Sequence, residues 1–310
     1  MIVGSRPTAP SLASSYDSEH ARFTFRMATP WRLAPDGYHL RGDGLSAVLP
    51  LRGPTPGLRR LAVARGSRPA RWPGPILAVQ SVQAADRPAF PVGFAATRPE
   101  HRLRTNLIDL DLAATERCPL RVHLYWSAAA TNQIDFEALV TTLHEFERLE
   151  VQTRSESVAK SLSASAELFV RAAGAPGRWL DVCAALRAGF DHLVLARDRN
   201  AAHLSLDGRP PGLDRTMLAG RFAAPLICYR PAGQSWSYVE MSHPDDCVRV
   251  IIVRRRDAVA WSFSLFGLDI EKGVILRGRV RGAVVARQGD LRRAEWLYRQ
   301  FTAEPPHLSV

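Results

Sequence analysis

The sequence predicts a mainly β protein: an antiparallel two-sheet sandwich with a duplicated β-hairpin module and a C-terminal amphipathic helix. Three observations carry this. From about residue 29 onward, apolar residues alternate with polar ones at a period of two, the signature of half-buried strands. One segment of the chain recurs after 59 residues. A clear 3.6-residue period appears only near the end, over residues 290–303.

The elements follow in order. Residues 1–28 are rich in Ser, Ala and Pro and read as a disordered tail. They precede an N-terminal β region over 29–160 and a C-terminal β region over 161–310. "YHLRGDGLSAVLPL" places two short apolar runs around Gly42, Asp43 and Gly44, which reads as a hairpin. Residues 52–75 read as a Gly/Pro/Arg loop without an acidic residue. A solvated loop and a contact for a polyanion both fit it. "ILAVQSVQ", "TNLIDLDL" and "LRVHLYWSA" read as strands. Residues 134–155 fit a helix capped by Asp135 or two strands turning near His144 and Glu145. The clean alternation of Leu149, Val151 and Thr153 and the β-favouring "VTT" support two strands. "VRVIIVRRR" and "AVAWSFSLFG" form a hairpin turning at Asp257, with Val259, Trp261, Phe263 and Leu265 on one face. "LDIEKG" connects it to "VILRGRVRGAVV". In the closing helix, Asp290 is expected to be the N-cap. Ala294, Leu297, Tyr298 and Phe301 share a face, and Pro305 and Pro306 end the helix.

Residues 167–208 align without a gap on 226–267, with ten identities in 42 positions. The shared Arg-Asp turn, Arg197-Asp198 against Arg256-Asp257, falls at the same place in both copies. The repeat therefore turns "WLDVCAALRAGFDHL", helical in isolation, into strand, irregular connection and strand. It also isolates a difference. His243, Pro244, Asp245 and Asp246 stand where the first copy has Ala184, Ala185, Leu186 and Arg187.

The chain of 310 residues carries a net charge of +11, divided as +8 over residues 1–110, −2 over 111–200 and +5 over 201–310. The basic excess at the two ends favours an anionic ligand or partner, nucleic acid and membrane surfaces included. Only Lys160 and Lys272 are lysine, so arginine supplies nearly all of it. No apolar run reaches the roughly 20 residues of a membrane span. The N-terminus lacks an apolar secretory core, so the cytoplasm is expected. The four cysteines form no CxxC pair and no zinc spacing, which fits free buried thiols in a reducing compartment. Neither a metal nor a cofactor is expected. The sequence has no phosphate-binding glycine loop, no dinucleotide fingerprint, no HExxH, no GxSxG and no recognised nucleic-acid motif.

Candidate chemistry clusters in the second copy of the repeat. Glu240, His243 and Asp245, with Asp246 and Cys247 beside them, form the densest polar group. Glu271 and Lys272 precede a tight turn at Gly273. Glu240, His243, Asp245 and Glu271 are therefore the candidate catalytic residues, weighed against solvated turn residues that cap local amides. Trp236 and Tyr238 are candidate stacking platforms, with Trp236 expected at the surface beside Gly233 and Gln234. Arg277, Arg279 and Arg281 alternate with Gly278, Val280 and Gly282, so all three point to one face. They either grip an anionic ligand or are neutralised within the chain, with Glu240, Asp269 and Glu271 as the nearest acids.

Ser237 to Met241 followed by His243-Pro244, and Glu271 to Ile275 followed by Arg277, Arg279, Val280, Arg281 and Gly282, resemble segments of a family of uncharacterised bacterial proteins. Ile270 departs from the usual Leu before the Glu. The resemblance spans about half the chain; it implies a β-rich fold and no known activity. In length and strand number the chain is also similar to the supersandwich of aldose mutarotases and carbohydrate-processing lyases, an analogy of architecture. The spacing assembles no catalytic constellation. The expected function is accordingly a non-enzymatic binding module with an arginine-rich surface for an anionic partner. The alternative is a carbohydrate-active or carbohydrate-binding protein that holds a sugar through Glu240, His243, Asp245 and Trp236.

Overall fold

The computed structural model describes residues 30–42, 44–52, 55–63, 70–72, 74–84, 87–88, 100–104, 106–114, 119–158, 167–171, 179–181, 192–196, 224–255 and 258–305. The first 29 residues, and so the expected tail, lie outside them. The elements of the first half are β1 (Trp31–Ala34), β2 (Gly37–Arg41), β3 (Leu45–Leu49), β4 (Arg59–Val63), β5 (Ala70–Trp72), β6 (Ala78–Ala84), β7 (Arg87–Pro88), β8 (Glu100–Arg104), β9 (Leu107–Leu112), β10 (Leu120–Ala130), β11 (Gln133–Thr142) and β12 (Phe146–Val158). The second half forms β13 (Glu167–Arg171), β14 (Trp179–Asp181), β15 (His192–Ala196), β16 (Leu226–Arg230), β17 (Trp236–Ser242), β18 (Cys247–Arg255), β19 (Ala258–Ile270), β20 (Ile275–Ala286) and the helix α1 (Asp290–Ala303).

Among the described residues all strand pairs are antiparallel, and they build three sheets. One has the order β1-β2-β3-β4-β5; one of nine strands has the order β14-β13-β16-β17-β20-β11-β10-β9-β8; one of six has the order β15-β18-β19-β12-β6-β7. Both larger sheets draw strands from each half of the chain. The main core lies between the nine-stranded sheet and the other two, with Trp126, Phe136, Trp261 and Phe263 fully enclosed. Indole N–H groups tie the layers together. Trp126 Nε1 donates to the Leu77 carbonyl at 3.0 Å, and Trp72 Nε1 donates to the Glu156 carbonyl at 2.7 Å. A second, smaller core lies on the opposite face of the nine-stranded sheet. There Ala294, Leu297, Tyr298 and Phe301 of α1 cover Cys228, Val239, Met241 and Val285.

Most expected elements form where alternation places them, including the hairpin β2–β3 and the two strands β11 and β12 across 134–155. Three details differ. The stretch 52–75, expected as a loop, contains β4 and β5, because Leu61, Val63 and Trp72 are core residues that alternation already spaces correctly. Strand β19 runs on through the expected connection to Ile270. Gly289, not Asp290, is the residue before the helix, at φ 72°. The Asp290 carboxylate is instead occupied by Arg230 at 2.8 Å and Ser237 at 2.5 Å, which ties α1 to β16 and β17. The first copy of the repeat supplies β13, β14 and β15, whereas its Arg-Asp turn lies outside the described residues. Among the described residues no helix is long and apolar enough to cross a membrane.

Strand β20 is central to this arrangement, and its small residues decide what can pack on it. A Cβ on Gly282 would lie 2.4 Å from the Tyr238 hydroxyl, and one on Gly278 would lie 3.0 Å from Leu265 and Phe266 side-chain atoms. The first contact is with a phenol held by a buried hydrogen bond; the second is with flexible side-chain ends. Gly282→Ala should therefore destabilise the fold by about 1–3 kcal/mol, the usual cost of overpacking, and Gly278→Ala by less. Urea unfolding of both variants measures this; equal effects would refute the assignment of Gly282 as the tighter site.

Candidate functional site

Strands β9, β10, β11 and β20 each put apolar side chains into the main core and polar ones on the opposite face. Because they pair in register, the polar side chains form rows across the sheet. One row reads Asp109, Tyr125, Glu137, Arg279 and the next reads Asp111, His123, Leu139, Arg277. A third reads Leu107, Ser127, Asp135, Arg281. Helix α1 covers the β16–β17 side of this face, and its C-terminal end borders the arginines.

The arginines are neutralised within the chain, but unequally. Arg281, 3% exposed, donates from Nε and Nη2 to both oxygens of Asp135 at 2.6 and 2.8 Å. It also reaches the Glu304 carboxylate at 2.6 Å. Burial opposes its charge, and the hydrogen bonds from Asp135 and Glu304 outweigh that, holding its pKa above the ordinary value. Arg277 donates from Nε to Glu137. Among the described residues the Arg279 guanidinium makes no direct ion pair. That group lies 5.0 Å from the centre of the Phe301 ring and donates to the Glu304 backbone carbonyl at 3.2 Å. Burial depresses its pKa and outweighs the opposing charges of Asp246, Asp135 and Glu304. The expectation of internal neutralisation holds for Arg277 and Arg281, but Asp135, Glu137 and Glu304 provide it. Glu240, Asp269 and Glu271 take no part in these pairs.

At the other end of the rows, His123 sits between two carboxylates, with Nδ1 at 3.3 Å from Asp109 and Nε2 at 3.6 Å from Asp111. Arg121 binds Asp111 at 2.6 Å, and this hydrogen bond is the largest cause holding the Asp111 carboxyl below its usual range. The His123 ring is parallel to that of Tyr125, with centroids 5.9 Å apart. Burial, reinforced by Asp109, pushes the Tyr125 phenol up to about 12, so it stays protonated and can donate. On this face Asp109, Tyr125 and Glu137 are buried and His123 and Asp111 are partly exposed; carboxylates, an imidazole and a neutral phenol together can take part in proton transfer and can bind hydroxyl groups.

The residues singled out from sequence do not meet in one place. Glu240 is fully buried in the main core. Its Oε2 accepts from Ser155 Oγ of β12 at 2.5 Å and from the Tyr238 hydroxyl at 2.9 Å, and its Oε1 accepts no hydrogen bond among the described residues. Burial raises its pKa to about 7 against the opposing influence of Ser155, Tyr238 and Trp261. Trp236 and Tyr238, expected as stacking platforms, are each 3% exposed and pack on Trp72 with centroids at 6.3 and 5.2 Å. Their positions on a strand covered on both faces override the neighbouring Gly and Gln. Asp245 is exposed, and its amide donates to His243 Nδ1 at 3.3 Å. Glu271 is exposed at the β19–β20 turn, where its carbonyl accepts from Thr142 Oγ1. Only His243 and Asp246 reach the arginine face: with Arg277, Arg279, Thr302 and Glu304 they line a cavity of about 250 Å³. As site residues, Asp109, Asp111, His123, Asp135 and Glu137 escaped the sequence reading. Their signal was carboxylates, histidine and tyrosine, rather than Thr or Lys, on the polar face of three consecutive strands. Among the described residues no group of three or more His, Cys, Asp or Glu could hold a metal ion.

Two outcomes follow. Glu240, raised from an ordinary value of 4.5 to about 7, contributes stability that is complete below pH 4.5 and lost as pH rises through about 7. Wild-type stability should fall by about 1.4 kcal/mol per pH unit across that window from this group, and Glu240→Gln should remove that slope. Denaturant titrations at several pH values test this, and identical slopes would refute it. Arg281→Ala removes the two-pronged guanidinium contact from the buried Asp135 and should cost about 3–5 kcal/mol, far more than Arg121→Ala at the exposed rim. Thermal melts of the two variants measure the difference.

No family model matches the chain, and no curated protein matches it in sequence. Solved structures do match the fold. A GalM/aldose epimerase homologue from C. elegans superposes with a TM-score of 0.52 at 8% identity, over 79% of this chain and 96% of that one. A putative aldose 1-epimerase from Klebsiella pneumoniae gives 0.52 at 9%, over 88% and 87%. The α-N-acetylgalactosaminidase NagBb from Bifidobacterium bifidum, in complex with GalNAc, gives 0.52 at 12% over 86% of this chain, which spans 39% of that protein. The chain is thus an antiparallel β-sandwich similar in fold to aldose-epimerase homologues.

Proposed function

We propose that the protein is a carbohydrate-active or carbohydrate-binding protein that holds a sugar on the polar face of the nine-stranded sheet. The observation that carries this reading is the row pair Asp109–Tyr125–Glu137 and Asp111–His123, in which donors and acceptors alternate across neighbouring strands. A sugar offers hydroxyls that both donate and accept, and such a face answers them in both senses. The fold likeness to proteins named for sugar chemistry supports the same class. The site therefore moves from Glu240, Asp245 and Trp236 to the outer face, with His243 kept at its border. Interconversion of sugar anomers is the chemistry that suits the groups. A base takes the proton of the anomeric hydroxyl while an acid protonates the ring oxygen, and the steps reverse after rotation. His123, flanked by two carboxylates, and Glu137 are the candidates.

The non-enzymatic reading, an arginine surface for a large polyanion, is less well supported. Arg277 and Arg281 are already paired, and Arg279 and Arg281 are almost fully covered. The two segments that resemble the uncharacterised bacterial family lie on β17 and on the start of β20 and its preceding turn; membership stays a proposal. A cytoplasmic location is supported by the free, buried thiols of Cys228 and Cys247.

A panel of reducing monosaccharides tests the proposal, with saturation-transfer NMR reading binding and exchange NMR reading anomer interconversion. At least one sugar should bind, and Glu137→Gln and His123→Ala should each weaken it about tenfold or more, the usual effect of leaving a hydrogen-bonded group unpaired. If no sugar binds while duplex DNA does, with steep salt dependence, the arginine reading replaces it.

A further inference from the structure

The cavity beside the sugar-facing rows has an excess of hydrogen-bond donors. Its lining residues are Arg277, Arg279, His243, Asp246, Thr302 and Glu304. Arg277 is joined to the rows through Glu137, yet its Nη2 is buried and has no partner. Arg279 is 8% exposed and has one side-chain hydrogen bond, from Nη1 to a backbone carbonyl. His243 Nδ1 accepts the Asp245 amide, which puts the proton of the neutral ring on Nε2 and makes it a donor.

The acceptors around the cavity are largely occupied. Glu304 is bound by Arg281 through both carboxylate oxygens. Asp246 Oδ2 accepts the Arg279 amide at 3.0 Å, and burial raises the Asp246 carboxyl towards its neutral form. The Thr302 hydroxyl donates back to the Tyr298 carbonyl at 3.1 Å. The buried Arg279 guanidinium, which no carboxylate touches directly among the described residues, and the partly buried Arg277 therefore line a space whose own carboxylates, Asp246 and Glu304, are already engaged. Desolvation of such a cation is costly unless an oxyanion arrives.

We infer that this cavity is a subsite for an anionic substituent of the sugar, a carboxylate, sulfate or phosphate ester held by Arg279, Arg277 Nη2 and His243 Nε2. This deepens the proposed function and rests on it, since the ring of the same sugar would lie over Tyr125, His123 and Glu137. Arg281, the third arginine of the same alternation, has no such role because Asp135 and Glu304 already fill its donors.

Calorimetry on the full chain with matched probes tests it: glucose, glucuronate, glucose 6-phosphate and glucose 6-sulfate, the galactose series, and inorganic phosphate and sulfate alone. An anionic sugar should bind at least about tenfold more tightly than its neutral counterpart, as charge-assisted bonds to a buried guanidinium require. Arg279→Gln should abolish that ratio and leave the neutral sugar's affinity unchanged. Arg279→Lys should keep part of it, since the charge remains without the fork. Should Arg279→Gln fail to fold, His243→Gln at the rim must lower the anionic affinity alone. Neutral and anionic sugars binding equally well would overturn the subsite and leave the sugar reading standing. Inorganic phosphate competing at Arg279 with no sugar bound would overturn the sugar reading and support the anion site. No binding by any probe would overturn both.

Discussion

Arg281 and Asp135 face each other from neighbouring strands in the middle of the nine-stranded sheet, and both are buried. Removing two charges from water is expensive, so the pair is tolerated only with near-ideal geometry and further partners. The two-pronged contact supplies the geometry, and Glu304 supplies the partner. Glu304 is the residue that follows α1, so the buried pair also fixes where the helix ends. With Asp290 bound to Arg230 at the other terminus, ion pairs pin the helix at both ends. Its apolar face then covers β16 and β17, leaving the β9–β11 side of the sheet uncovered by the helix. The division of the outer face into a half that the helix covers and a half that it does not thus begins with one buried guanidinium.

The inner face of the same strand obeys a different constraint. Gly278, Val280 and Gly282 present little volume to the core, so the layers above can come close. Tyr238 occupies the space over Gly282, and its hydroxyl reaches Glu240. Ser155 comes to the same carboxyl oxygen from β12, and its Oγ also accepts the Leu77 amide. Through Glu240 the two larger sheets share one polar contact amid Trp72, Trp236 and Trp261. A carboxyl in such surroundings holds its proton near neutral pH, which makes it a structural hydrogen-bonding group rather than a charge. Strand β20 therefore serves two faces by one rule: arginine where acids lie opposite, glycine where an aromatic layer must approach.

The fold was legible because alternation is a local property. Val259, Trp261, Phe263 and Leu265 announce a buried face without knowledge of any neighbour, and Ala294, Leu297, Tyr298 and Phe301 announce a helix in the same way. Trp72 was missed because a Gly/Pro/Arg-rich stretch hid a short alternation around it. The site was far less legible, for a physical reason. Which residues share a face can be read from parity, but which residues meet depends on register between distant strands. Asp135 and Arg281 are 146 positions apart. Local density drew attention to His243, Asp245 and Asp246, and only some of these reach the arginines. The polar faces of β9, β10 and β11 looked like ordinary wet surface, because alternation gives the same pattern for a solvated face and for a binding face.

Arg277, Arg279 and Arg281 are chemically identical and evenly spaced, yet their surroundings make them three different groups. Arg281 has two carboxylates, Arg277 has one and an unpartnered nitrogen, and Arg279 has none. The gradient follows from geometry. Asp135 lies directly across from Arg281, while Glu137, directly across from Arg279, is taken diagonally by Arg277. That diagonal choice leaves the middle arginine with an aromatic ring and a carbonyl for company, at the wall of a cavity. Asp246, Asp135 and Glu304 favour its charge at longer range, but burial outweighs them, so a fold selected only for stability would have reason to replace a buried cation that no carboxylate touches directly. Its position beside His243 and the cavity supplies the reason to keep it, and separates it in role from the two neighbours that the sequence pattern makes look the same.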